Sequence, residues 1–421
     1  MTRTYNMIHY VSKMVGGGSC MRAVGSRLNL VNPGSRASVY LDLIRFVAAA
    51  IVVLSHLGTP DWSTGPLFIW KQITSLGFPS VIIFFVLSGY FISSSVLKMQ
   101  DSGRWSWRDY LINRGTRLWI VLIPALLLTL FWGVLQSQLY GQEYTREGVA
   151  MTDALSIKYF FSNLVFMQHI YSPTFGLNNP LWSLSFEFWY YILFPCLLLV
   201  FKAKTKRGKV LSFIVFSSIS LFVGWKVMLY FLIWLLGAVV AIIKPIKLKN
   251  MFVKILLVVG TLMAAIMVSI APKAFNIYPT YYLPLKQYGF DFALGLVAAF
   301  LVYMIISFYN LSNTSRPAAV FTNLAGFSYT LYLVHYPVIN FISKASGRKA
   351  AGSSDFIWQQ STTNYFLYLP IVFTALLLYA WLISLITEAK TSGAREIVSR
   401  VIGNMKKNRA PSVSVVESYE K

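Results

Sequence analysis

Residues 40–56 read YLDLIRFVAAAIVVLSH, an apolar run with ionisable groups near both ends. Between Arg45 and His56 every residue is apolar except Ser55. The surrounding run, 38–58, matches the roughly 20 residues that a helix needs to cross the hydrocarbon core of a bilayer. The remainder of the chain repeats the pattern. Of 421 residues 56% are hydrophobic, 16% aromatic and only 12% charged, with mean hydropathy +0.60. A water-soluble domain does not carry that balance. Ten apolar runs qualify as spans: 38–58, 79–97, 116–137, 180–201, 209–224, 227–243, 252–271, 289–308, 326–343 and 366–387. The expected fold is therefore an all-α polytopic integral membrane protein. It has a basic flexible tail over 1–37, a transmembrane domain over 38–387 and a C-terminal tail over 388–421.

The formal charge of +23 invites a nucleic-acid reading. The basic residues, however, sit in short clusters between apolar runs, with no interleaved aromatic face, which argues for no nucleic-acid partner. They read instead as a topology signal. Taking alternate loops from the N-terminus, 27 Lys and Arg fall on one side and 9 on the other, with Arg45 inside a span. By the positive-inside rule both termini are cytoplasmic and the number of spans is even, as expected of a multi-pass protein of a bacterial inner membrane. Cys20 and Cys196 are too few for a disulfide framework, and no metal-ligand spacing occurs. Translation starting at Met21 would remove most of the N-terminal tail. The outer loop 138–179 contains YFFSNLVFM (159–167), apolar yet too short to cross, so it predicts a short helix there.

Orientation gives depth to the polar residues inside the spans. Arg45 lies toward the cytoplasmic end of the first span and His56 toward the outer end, about 16 Å apart along a helix axis and close to one face, with Ala49 and Val52 between them. In PLWSLSFEFWYYILFP (180–195), Glu187 sits about two turns in, with Ser183, Tyr190 and Tyr191 on its side. An ionisable group at that depth is costly unless paired or facing a polar cavity, and so marks a candidate site. SYTLYLVHYPV (328–338) places Ser328, Tyr332 and His335 on one helical face. Asp291 is read as capping the eighth span. In RDYLINRGTRLW (108–119), an inside loop leading into the third span, Arg114 and Arg117 are spaced to present two guanidinium forks to one anion. Each feature has a plain rival: snorkelling for Arg45, a packed polar contact for Glu187 or His335, lipid phosphate for the arginine pair.

Taken together, YLDLIRFVAAAIVVLSH (40–56), FPSVIIFFVLSGYFI (78–92), NRGTRLW (113–119), PLWSLSFEFWYYILFP (180–195) and SYTLYLVHYPV (328–338) resemble, in order, the acyltransferase-3 family of membrane acyltransferases that modify bacterial surface sugars. The resemblance covers roughly 40–387. It implies ten helices, acyl-CoA (acetyl-CoA) as a cytoplasmic co-substrate rather than a bound cofactor, and a glycan or lipid-linked saccharide acceptor. Membrane lipids are the remaining partners. Arg45 and His56 match the family's arginine, ten residues, histidine motif; Arg114 and Arg117 match its paired arginines; Glu187 matches its tryptophan-serine-leucine plus glutamate motif. Trp119 and Ile120 stand where a proline is common in the family, which leaves the start of the third span open. Only some 34 residues follow the tenth span, too few for the hydrolase-like C-terminal domain of some members.

The implied roles agree with the charge count. Arg45, Arg114 and Arg117 lie where a donor's phosphates enter, and the pantetheine arm would run along the small-residue face of the first span toward His56, the general base. Glu187 either orients His56 or binds acceptor hydroxyls, and Trp182, Ser183, Tyr190 and His335 are candidate acceptor-binding residues. A competing reading takes His56 and Asp61 as the H-x4-D motif of glycerolipid acyltransferases, although Gly58 and Pro60 interrupt any helix between them. A rival of another class is a proton-coupled transporter or lipid-linked sugar flippase using Glu187, His56 and His335 as a relay.

Overall fold

The computed structural model describes residues 28–58, 67–141, 143–145, 148–274, 285–310, 318–346 and 362–409. Cys20, Met21 and Asp61 lie outside them. The elements are helical: α1 (Arg36–His56), α2 (Leu67–Thr74), α3 (Gly77–Asp101), α4 (Trp107–Tyr140), α5 (Met151–Ala154), α6 (Ile157–Leu164), α7 (Leu181–Lys202) and α8 (Lys206–Ile242). There follow α9 (Met251–Ala274), α10 (Leu285–Tyr309), α11 (Ala318–Ala325), α12 (Ser328–Ala345), α13 (Thr362–Ile386), a single 3-10 turn (Glu388–Lys390) and α14 (Thr391–Arg409). Among the described residues there is no strand, only two isolated bridges in the 144–172 region.

Eight of these helices are long and apolar enough to cross a membrane, against the ten runs read from the sequence. Two residue-level causes account for the difference. The fifth and sixth runs are two distinct helical segments, 206–223 and 225–242, that are continuous in the chain and are counted together as α8; they are separated at Gly224 (φ 81°, ψ 169°), a non-helical conformation that glycine adopts without a Cβ clash, as the two runs read from the sequence expect. The ninth run is α12, only 18 residues long, whose apolar character is diluted by a buried polar face including Ser328, Thr330 and His335.

Local chemistry sets several helix ends. Ser35 Oγ accepts from the Ser38 amide at 3.2 Å and so caps α1, which ends before Gly58 at φ +81°. α4 starts well before the paired arginines, because Ser106 caps it by accepting from the Asp109 amide at 3.3 Å. The supposed loop over 108–119 is therefore helix, and Arg114 and Arg117 occupy its second and third turns. The short helix expected near 159–167 is α6.

The helices fall into two compact units. The first comprises the described parts of 1–48, 78–105 and 192–322, including most of α3 and α8 to α10. Its closest helix approach joins α3 to the second arm of α8. A Cβ on Gly89 would lie 1.9 Å from Trp234 O, and one on Gly237 would lie 2.0 Å from Val86 O. Such small-residue contacts let helix backbones pack directly, a main source of helix association in lipid. Trp234 and Tyr90 are buried beside them. The chain before α1 is folded into this unit from Asn29 onward: Asn29 N donates to Ala241 O (2.8 Å), and Tyr90 Oη donates to Asn29 O (2.9 Å). Asp291 is not a cap. It sits inside α10, 4% exposed, accepting from Tyr230 Oη at 2.9 Å and Gln287 Nε2 at 2.8 Å.

The second unit comprises the described parts of 49–77, 106–191 and 323–421. Here α12 packs between α4 and α13, and α14 lies along α4, tied by Arg395 Nη1 to Asn113 Oδ1 (2.8 Å) and Arg108 Nη2 to Ser399 O (3.3 Å). The segment between α4 and α7 is fastened by buried polar contacts. Asn178 Nδ2 donates to Thr129 Oγ1 and to Leu333 O, each at 3.0 Å, and Lys344 pairs with Glu143, which also accepts from Gln136. Ser185 Oγ and Trp189 Nε1 both donate to Phe166 O, holding that residue at φ +59°.

Candidate functional site

His56 is placed by the last turn of α1, where the helix approaches α3 so closely that a Cβ on Gly77 would lie 2.1 Å from Ser55 Oγ. Around it the second unit gathers three rings from α12. The His335 ring centroid is 5.4 Å from that of His56, with the planes tilted by 32°, and the Tyr336 ring meets His56 edge-on at 4.6 Å. Tyr332, one turn earlier on α12, lies 6.2 Å from His335. The structure therefore brings together the two histidines that the sequence separates by hundreds of residues. His56 is half-buried, while His335 is completely buried.

α7 supplies the second wall. Ser183 Oγ and Tyr332 Oη share a hydrogen bond at 2.7 Å, and Tyr332 Oη also reaches Pro180 O at 3.3 Å, joining α7 to α12. Glu187 accepts from the hydroxyl of Tyr191, one turn on, which is the residue four positions along that shares its face. Tyr190, its other expected neighbour, points instead into the core against Phe186 and is fully buried. Trp182 is half-buried, edge-on to Phe186 at 5.2 Å and 6.3 Å from the His169 ring.

Arg114 and Arg117 diverge in their partners. The Arg114 guanidinium lies over the rings of Tyr110 (5.7 Å) and Tyr191 (6.0 Å), a cation-π arrangement. Arg117 is solvent-accessible, yet it is within electrostatic range of Glu187, Glu388, Tyr191 and Tyr329. Arg117 thus has carboxylates and phenols of α7, α12 and the turn after α13 in its electrostatic surroundings. Glu388 is itself fixed by Thr330, whose N–H and Oγ1 donate to Oε2 at 3.3 and 3.1 Å. Arg45 is held in the first unit, paired with Asp42 at 3.4 Å and stacked over Phe91 at 5.1 Å.

One expectation is corrected. On the face of α1 between Arg45 and His56, Ala49 is 0% and Val52 2% exposed, so among the described residues neither offers open surface to a pantetheine arm. Accessible or half-buried polar groups of the second unit include Arg114, Arg117, Glu187, Tyr329, Tyr336 and His56, on α4, α7, α12 and the end of α1. Two participants had weak sequence signals. Tyr336 is simply the residue after His335, and Glu388 lies beyond the last apolar run, where no periodicity marks it. Among the described residues no cluster of three or more His, Cys, Asp or Glu could hold a metal ion.

Fold and site define a polytopic helical membrane protein with an imidazole pair and a tyrosine-bound carboxylate inside one helical unit. The profile of a family described as "Acyltransferase domain" matches residues 38–385, and the chain belongs to this acyltransferase-3 family. Among similar proteins, the "Peptidoglycan O-acetyltransferase OatA" of Listeria monocytogenes is 32% identical over 45% of this chain and 29% of its own length. The "Putative peptidoglycan O-acetyltransferase YrhL" of Bacillus subtilis is 33% identical over 42% of this chain and 27% of its own. The "O-acetyl transferase" of Shigella phage Sf6 is 30% identical over 43% of this chain and 51% of its own. The matches thus span about a quarter to a half of these relatives. No solved structure matches the chain.

Proposed function

We propose that this protein is a membrane O-acyltransferase that moves an acetyl group from acetyl-CoA on the cytoplasmic side to a hydroxyl of a cell-envelope sugar. The observation that carries the reading is the placement of His56 against His335 and Tyr336 in the same unit as Glu187, Tyr191 and Arg117, within a chain of this family. The distribution of Lys and Arg supports cytoplasmic termini and a bacterial inner-membrane location. Neutral His56 takes the proton of the acceptor hydroxyl as its oxygen attacks the thioester carbonyl carbon. The C–O bond forms, the C–S bond breaks, and the departing thiolate recovers the proton from His56. Glu187, held by Tyr191, accepts hydrogen bonds from acceptor hydroxyls. Arg114 and Arg117 hold the donor's phosphates, with Arg114 braced by two tyrosine rings.

Steady-state transfer by the protein in liposomes, with labelled acetyl-CoA and a crude envelope-glycan extract, tests the donor site. Arg117→Ala should raise the KM for acetyl-CoA roughly tenfold or more, since a charge-assisted hydrogen bond contributes about 1.5–3 kcal/mol. An unchanged donor KM would place the phosphates elsewhere.

A further inference from the structure

The second histidine has chemistry that a base role for His56 alone leaves unused. His335 Nδ1 lies 3.0 Å from the carbonyl oxygen of Leu331, one turn earlier on α12. A carbonyl can only accept, so Nδ1 carries the proton and Nε2 carries the lone pair. That Nε2 is buried and has no hydrogen-bond donor among the described residues. An orphaned acceptor inside a packed unit is unfavourable and uncommon, and it calls for a donor that appears at some stage of function. The neighbouring ring whose N–H becomes a stronger, charge-assisted donor during turnover, as the imidazole turns into an imidazolium, is His56, 5.4 Å away between centroids.

We propose that His335 is the positioning residue for His56, its Nε2 accepting a hydrogen bond from the ring N–H of His56 that faces away from the acceptor hydroxyl. This deepens the proposed function and rests on it. Once His56 has taken the hydroxyl proton it is an imidazolium with two N–H groups, and the one not engaged with substrate needs an acceptor. In a serine-histidine-aspartate triad a carboxylate fills that place. Within a membrane span a neutral acceptor avoids burying a further charge. The Leu331 carbonyl locks His335 in the one tautomer that can serve, and Tyr336, edge-on to His56, limits the rotation of the donating ring. No proton is transferred to His335. It passes from hydroxyl to His56 to the leaving thiolate.

The test compares His335→Ala, His335→Gln and His335→Phe in full-length protein reconstituted in liposomes, reading kcat and KM with labelled acetyl-CoA and the envelope-glycan extract. His335→Ala should lower kcat by roughly tenfold or more with the donor KM unchanged, the pattern of an interaction made chiefly in the transition state. His335→Gln, whose amide oxygen accepts a hydrogen bond, should recover several-fold over the alanine and phenylalanine variants. Where the alanine variant does not fold, the comparison of Gln with Phe remains. Recovery by Phe and not by Gln would assign His335 to packing and overturn the proposal, as would a raised KM at unchanged kcat. Normal turnover in these variants alongside an inactive His56→Ala would overturn this role alone, whereas normal turnover by His56→Ala would overturn the acyltransferase mechanism itself.

Discussion

His56→Ala should reduce acetyl transfer by ~10²- to 10⁴-fold while leaving acetyl-CoA binding near the wild-type value, because a positioned general base contributes about that much and the proposed site for the donor's phosphates is on α4. The physical basis is local. The imidazole stands at the end of α1, half-buried, between an edge-on tyrosine and a second imidazole. Truncation removes the only ring on α1 in that cluster and leaves the surrounding α12 contacts in place. Parallel measurement of thioester consumption and of donor binding separates the two effects. A variant that binds the donor and turns over normally would exclude His56 as the base. If the rival relay reading were right, His56→Ala would abolish proton-coupled flux in liposomes, and wild-type protein would consume no acyl-CoA.

A single methyl group should do comparable damage to the fold at Gly237. Its α-carbon meets the backbone of α3, where an added Cβ would fall 2.0 Å from Val86 O and 2.6 Å from Tyr90 N, neither of which is a side chain that can rotate away. Gly237→Ala must push the second arm of α8 off α3, exposing the contact around Trp234 and Tyr90. Overpacking of a core costs typically ~1–3 kcal/mol, and a clash with backbone lies at the upper end or beyond. The expected result is a lower melting temperature in detergent and a reduced folded yield. Gly260→Ala on α9 is the matched control, since a Cβ there meets nothing within 4 Å. It should be neutral or slightly stabilising, as alanine is the better helix former. Equal stability for both variants would mean that the α3–α8 approach does not support the unit.

The Gly237 contact also shows where reading the chain stops. Apolar length and the distribution of Lys and Arg depend on composition along the chain, so spans, their approximate limits and an all-α membrane fold were legible without coordinates. So was the polar face of α12, because helical spacing puts Ser328, Tyr332 and His335 in line whatever surrounds them. Family-level motifs likewise sit in contiguous residues. The meaning of Gly224 was half-visible: a break was evident between two runs, but whether it would separate two helices or bend one depends on backbone angles that no neighbouring residue specifies.

Pairing across the fold was decided by tertiary structure alone. Glu187 had two tyrosines on its side by periodicity, and packing selected Tyr191 as its partner while turning Tyr190 into the core. The face of α1 between Arg45 and His56 looked open because its side chains are small, yet small side chains are also what lets neighbouring helices close over them, and they do. His335 and His56 are ordinary helix residues 279 positions apart until α1 and α12 meet. The sequence by itself determined which residues enter the membrane and which of them are polar. Which polar groups face one another follows from helix packing, a many-body balance of contacts between segments distant in the chain, and only the tertiary structure decided it.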